Sequence, residues 1–156
     1  MKQHLTNLTA DNKDNIYGQI MDELWDKCND GFALQELNEF EKPLIISQII
    51  EDSINGGGIN TYFFNNADKY TTAGLDAFQK LGMTEVYEIF KQAVDAFPAA
   101  EIPQDLEACR QIMESLPEEN PADETWTTLT DAFYNLDPNY FMDKKLEYML
   151  KHVDSH

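Results

Sequence analysis

The chain has 156 residues, 42% of them hydrophobic and 12% aromatic. That is enough apolar material for one core without a metal or disulfide, and too much for a disordered segment. Its 29 acidic residues outnumber 11 basic ones, a formal net charge of −18. A field of that sign repels nucleic acid, acidic lipid and anionic substrates and attracts cations or basic proteins, although a surface selected only for solubility carries the same excess.

The opening MKQHLTNLTADNK has no apolar h-region, so no secretory signal is expected. No apolar run approaches the length of a membrane span. Ile16, Ile20, Leu24 and Cys28 then recur every four residues, with Met21 and Trp25 widening the stripe into an amphipathic helix and Gly31 as its stop. Asn38 followed by Glu41 reads as a capping box, with Pro43 in the first turn of the helix it opens. The run LIISQII, Leu44 to Ile50, has strand-like β-branching, but its extension through Ile54 favours a buried helix ending at Gly56-Gly57-Gly58. Ile59, Tyr62 and Phe63 start a second apolar face, read as a short helix that Asn65 and Asn66 cap or close. Thr71 or Thr72 caps the next helix, which carries Phe78 and Leu81 and closes at Gly82.

Thr84 caps a helix with Val86, Ile89, Phe90, Ala93 and Phe97 on one face, ended by Pro98. Leu106, Cys109, Met113 and Leu116 form another stripe, stopped by Pro117. Asn120-Pro121 and Asp137-Pro138 each place a cap before a proline at the first helical position. They open helices carrying Trp126, Leu129 and Phe133, then Met142, Leu146, Met149 and Val153. The expected fold is therefore all-α, a single domain over residues 1–156 built from about seven or eight short helices.

Little of the usual chemistry is spelled out. His4, His152 and His156 lie near the chain ends, none at a metal-ligand spacing, and His152 with Lys151 suits the last turn of the final helix. Asp11-Asn12-Lys13-Asp14 puts lysine where a calcium loop needs an oxygen ligand. No Glu-x-x-His pair of a helical di-iron bundle occurs. Cys28 and Cys109 fall on apolar stripes and read as buried free thiols of a reducing cytoplasm. The three glycines lack the spacing, lysine and hydroxyl of a phosphate loop. They read instead as a tight turn in which glycine takes positive φ.

The segment from Glu51 to Pro98 resembles the signature of a small bacterial family, the DMP-type DNA-mimic proteins. Glu51, Gly57, Gly58, Tyr62, Phe63, Asn65, Gly82, Ala93, Phe97 and Pro98 carry the resemblance by position. Trp126 to Leu150, with Leu136, Asp137 and Tyr140, is similar to the family's closing helices, so the likeness spans about residues 38–150. Ile59, Thr61 and Met83 depart from the phenylalanine, glutamine and alanine usual there. The matched residues are core and turn positions, read as structural. The resemblance implies an all-α fold and, for function, imitation of DNA by surface carboxylates.

B-DNA carries about one negative charge per 1.7 Å of axis, and helical side chains four residues apart are about 6 Å apart. A carboxylate row on a helix can therefore follow a row of phosphates. Residues 84–143 hold 14 acidic and two basic residues, Lys91 and Arg110, a net of −12 out of −18. The densest set is Glu101, Asp105, Glu107, Glu114, Glu118, Glu119, Asp123 and Glu124, taken as the partner-binding face.

The expectation is thus a cytoplasmic, non-enzymatic protein with no cofactor and no metal. Its partner is a basic protein such as a DNA-binding transcription factor or nucleoid protein, with no direct contact to nucleic acid or membrane, and with a homodimer left open. Two rival readings are an immunity or accessory protein that neutralises a basic toxin or effector, and an enzyme using a carboxylate-bound metal.

Overall fold

A computed structural model describes residues 1–98 and 102–155. The helices are α1 (Lys2–Thr6), α2 (Lys13–Lys27), α3 (Lys42–Lys80), α4 (Thr84–Asp95), α5 (Leu106–Glu114), α6 (Pro121–Tyr134) and α7 (Tyr140–His152). Short 3-10 turns cover Leu34–Glu36 and Val153–Ser155. No strand occurs among the described residues, so the all-α reading holds.

The helix that begins at LIISQII does not stay straight. Gly58 has φ 89 and ψ 176, a backbone state open essentially only to glycine, and it breaks α3 into two arms. The arms run antiparallel against each other. The Ile50 side chain of the first arm fills the space where a Cβ on Gly74 of the second would stand, and Asn66 donates to Ser53 Oγ at 3.1 Å. The expected tight turn at the glycines is therefore present. Gly57 differs from the expectation: only Gly58 of the three has positive φ. Gly57 is constrained by space instead, because a Cβ there would lie 2.6 Å from Thr61 Oγ1, which donates back to the Gly57 carbonyl.

Other boundaries shift by a few residues, each for a local reason. The second arm runs on to Lys80 without interruption, so Asn65 and Asn66 are helix-interior residues rather than caps. Thr71 is interior too: its hydroxyl donates to the Ala67 carbonyl and meets Tyr62 Oη at 3.1 Å. The Asn38–Glu41 capping box forms, with Asn38 Oδ1 accepting from the Phe40 and Glu41 amides and Glu41 Oε2 from the Asn38 amide. α2 ends at Lys27, ahead of three successive positive-φ residues, Asn29, Asp30 and Gly31. Thr84 is the first helical residue of α4 rather than its cap. Asp137 accepts from the Asn139 amide at 2.8 Å in the turn ahead of α7, whose cap position is Asn139 and first helical residue Tyr140, two residues later than the expected Asp137 cap and Pro138 start.

The core lies where the second arm of α3 meets α4 and α6. Tyr62, Phe63, Phe78, Phe90, Phe97 and Trp126 are all at most 2% exposed. Their rings touch in sequence, Phe63 to Trp126 at 5.1 Å, Tyr62 to Phe90 at 5.2 Å and Phe78 to Phe90 at 5.5 Å. Each such ring contributes about 1.5–3 kcal/mol of burial. Trp126 Nε1 donates to the Ala93 carbonyl at 2.9 Å and so fixes α6 on α4. The buried stripe of α2 (Ile16, Ile20, Met21, Leu24) and that of α7 (Leu146, Met149) close the other side.

Candidate functional site: an acidic face on α5 and α6

The acidic residues are presented by helices whose other faces are used for packing. Asp105 caps α5, its carboxylate accepting from the Glu107 amide at 3.2 Å. Cys109 faces inward with Sγ donating to the Pro103 carbonyl at 3.3 Å, which leaves Glu107 and Glu114 in water. A turn closed by Asn120 N–H to the Pro117 carbonyl exposes Glu118 and Glu119. Asn120 then caps α6 through the Ala122 amide at 2.8 Å, as its position before Pro121 implies. Ala122, Trp126, Leu129 and Phe133 are buried, so Asp123 and Glu124 stand on the outer side of the first turn.

Seven of the eight expected face residues are exposed, on α5, α6 and the turn between them. The eighth, Glu101, lies outside the described residues. Helix physics accounts for part of this set, because carboxylates in a first turn are favoured by the N-terminal dipole. Asp105, Glu107, Asp123 and Glu124 qualify. Glu114 does not: it is the last residue of α5, at the end where the dipole opposes a negative charge.

None of the seven has an ion-pair partner among the described residues. The lysine–carboxylate pairs join Lys2 to Asp154, Lys13 to Asp143, Lys27 to Glu41, Lys42 to Glu39, Lys80 to Asp76, Lys91 to Asp95, Lys144 to Glu147 and Lys145 to Glu51. Arg110, the one cation within α5 and α6, lies between Glu107 and Glu114 in helical spacing but pairs with neither. Its Nε donates to the Phe64 carbonyl at 2.8 Å and its guanidinium lies 4.9 Å from the Phe64 ring centroid. The one cation of these two helices is thus engaged with Phe64 and not with a carboxylate.

A second polar cluster went unnoticed in the sequence. Lys145 of α7 is fully buried, donating to Gln48 Oε1, to Glu51 Oε2 at 3.3 Å and to Tyr17 Oη at 3.3 Å, where α2, α3 and α7 meet. Burial holds the Lys145 ammonium below the usual lysine range against the pull of Glu51. Burial likewise holds the Glu51 carboxyl above the usual carboxylate range despite Lys145. Three donated bonds use all three ammonium hydrogens, so the cluster is saturated and ties elements together. The available signal was the position of Lys145 on the Met142–Leu146–Met149 stripe, where a lysine has no water to reach.

The other motif residues fall in the core, in turns and on the surface. Tyr62, Phe63 and Phe97 are core, Gly82 has φ 68 in the turn after α3, and Pro98 follows Phe97. Asn65 is exposed within α3. His152 is in the last turn of α7, as expected, with its ring 4.8 Å from Tyr148. Cys28 and Cys109 are both buried and form no disulfide. Among the described residues no three His, Cys, Asp or Glu side chains are grouped to hold a metal ion, and no helix is long and apolar enough to cross a membrane.

These features define an all-α protein with exposed carboxylates on two consecutive helices that have no ion-pair partner among the described residues. The family model for DMP19-like protein matches residues 35–152, and the chain belongs to that family. The match takes in α3 to α7 and leaves α1 and α2 before it. Searches of curated proteins and of solved structures returned no match.

Proposed function

We propose that this is a non-enzymatic, cytoplasmic DNA mimic, which offers its α5–α6 face to a basic DNA-binding protein and competes with DNA for it. The observation that carries the reading is the set of seven exposed carboxylates with no cation paired to them, in a molecule whose lysines are mostly paired elsewhere. A solubility surface gains nothing by excluding lysines from one face, nor by placing Glu114 at an unfavourable helix end. A surface that must attract a cationic groove gains by both, since an internal ion pair would have to be broken on binding. A cytoplasmic partner suits two buried cysteines that form no disulfide.

The test is charge reversal on and off the face. Glu114→Lys with Glu118→Lys should weaken binding to the basic partner captured from the native cell about ten-fold or more, if each rim contact contributes roughly 0.5–1 kcal/mol and reversal doubles the loss. The same change at Asp11 and Asp14, also exposed, should do much less. Calorimetry at two salt concentrations reads both, with affinity falling steeply with salt for the wild type. Equal losses from the two double variants would reduce the face to generic acidity.

A further inference from the structure

The break in α3 and the acidic helix α6 are joined by two bonds. Ile59 N–H, the first donor past Gly58, donates to Thr130 Oγ1 of α6 at 3.1 Å. The Ile54 carbonyl, one turn before the break, accepts from Tyr134 Oη at 2.8 Å. Thr130 and Tyr134 are four residues apart, so they lie on one side of α6, and together they bracket the break. Gly58 is part of the fit: a Cβ there would lie 3.4 Å from both Thr130 Oγ1 and Cγ2, at the tight edge of ordinary contact. On the same arm, beyond the break, Phe64 receives Arg110 from α5. Both carboxylate-bearing helices are thus pinned by side chains to the backbone of one broken helix.

We propose that Thr130 and Tyr134 are positioning residues, which hold α6 at the Gly58 break and so set the spacing between the carboxylates of α6 and those of α5. The functional consequence rests on the DNA-mimic reading, since spacing matters only if the face copies a spaced charge array. The geometric claim stands apart from it, because it concerns two uncharged side chains beneath the face. A role limited to stability would lower the melting temperature and leave the α5–α6 separation unchanged.

The distance measurement needs no partner, and a binding titration of the same variants with the captured partner tests the functional consequence. Spin labels are placed at Gln111→Cys on α5 and Thr128→Cys on α6, both exposed, with Cys28 and Cys109 buried and closed to the label. Pulsed dipolar spectroscopy of the full chain then gives the inter-helix distance distribution. The wild-type background should give one narrow peak, and Thr130→Val with Tyr134→Phe should at least double its width or shift it. Thr130→Ser, which keeps the hydroxyl, should restore the narrow peak at that position. If the double variant fails to fold, Tyr134→Phe alone serves, since Tyr134 is 49% exposed and loses only its hydroxyl. A folded variant with an unchanged distribution overturns the proposal. A changed distribution with unchanged partner binding would support positioning while contradicting the mimic reading.

Discussion

Gly58→Ala tests the argument about the glycine turn. At φ 89 and ψ 176 an L side chain is strained wherever its atoms point, at a cost of about 1–3 kcal/mol. The new Cβ would also approach Asn60 Oδ1 at 3.1 Å and Thr130 at 3.4 Å, so relief by rotation of the turn would disturb the Ile59–Thr130 bond. The combined loss should therefore fall near the upper end, about 2–3 kcal/mol. For a chain of this length about 1 kcal/mol moves the melting temperature by roughly 2–4 °C, so a drop of about 4–12 °C is expected. Gly56→Ala is the internal control: nothing stands within 4 Å and its φ is not positive, so it should be neutral or stabilising by about 0.4–1 kcal/mol. Gly57→Ala should be destabilising through contact with Thr61, and less so if Thr61→Ser accompanies it. Urea unfolding followed at 222 nm, with scanning calorimetry, measures all three. Equal stabilities for the Gly56 and Gly58 variants would refute the backbone argument.

Two further outcomes follow from the polar contacts. For the junction, the raised Glu51 pKa contributes stability that is present below the ordinary carboxylate range and lost as pH rises from there through its folded value. The lowered Lys145 pKa contributes stability that is present above the ordinary lysine range and lost as pH falls from there through its folded value. Lys145→Met alone should destabilise by about 3–5 kcal/mol at pH 8 and by less at pH 5, where Glu51 can take a proton, whereas Lys145→Met with Glu51→Gln should return to within about 1–2 kcal/mol of wild type in denaturant titrations. Asn120→Ala removes the bond to the Ala122 amide and should cost about 1 kcal/mol by the same assay, while Glu114, exposed at the C-terminal end of α5, can be reversed with a change within about 0.5 kcal/mol.

Helix periodicity and cap chemistry made most of the architecture legible. The stripes on α2, α4 and α6, the Asn38–Glu41 box and the Asn120 cap are local patterns with local causes, and they stand where the spacing puts them. The uninterrupted second arm of α3 was hidden, because Asn65, Asn66, Thr71 and Thr72 have cap-like side chains that tertiary packing holds inside a helix. Thr71 shows the override: its hydroxyl is buried and bonded to Ala67 and Tyr62 instead of capping. The exposed acidic residues could be named from the sequence, since capping and stripes decide which face is outward. Their lack of ion pairs could not, because Arg110 is placed by Phe64, forty-six residues earlier in the chain. Nor could Thr130 and Tyr134 be singled out, since their partners are backbone groups on another helix.

The central claim is that a basic partner uses one surface for DNA and for this protein. It is tested most directly by holding the captured partner on a fluorescently labelled DNA duplex carrying its site, at fixed salt, and titrating in this protein while anisotropy is followed. Competition predicts a complete return to the anisotropy of free DNA, with a midpoint that moves in proportion to the DNA concentration, and with little displacement by the Glu114→Lys, Glu118→Lys variant. Anisotropy that stays high or rises, marking a complex that holds DNA and this protein on the partner together, would contradict it.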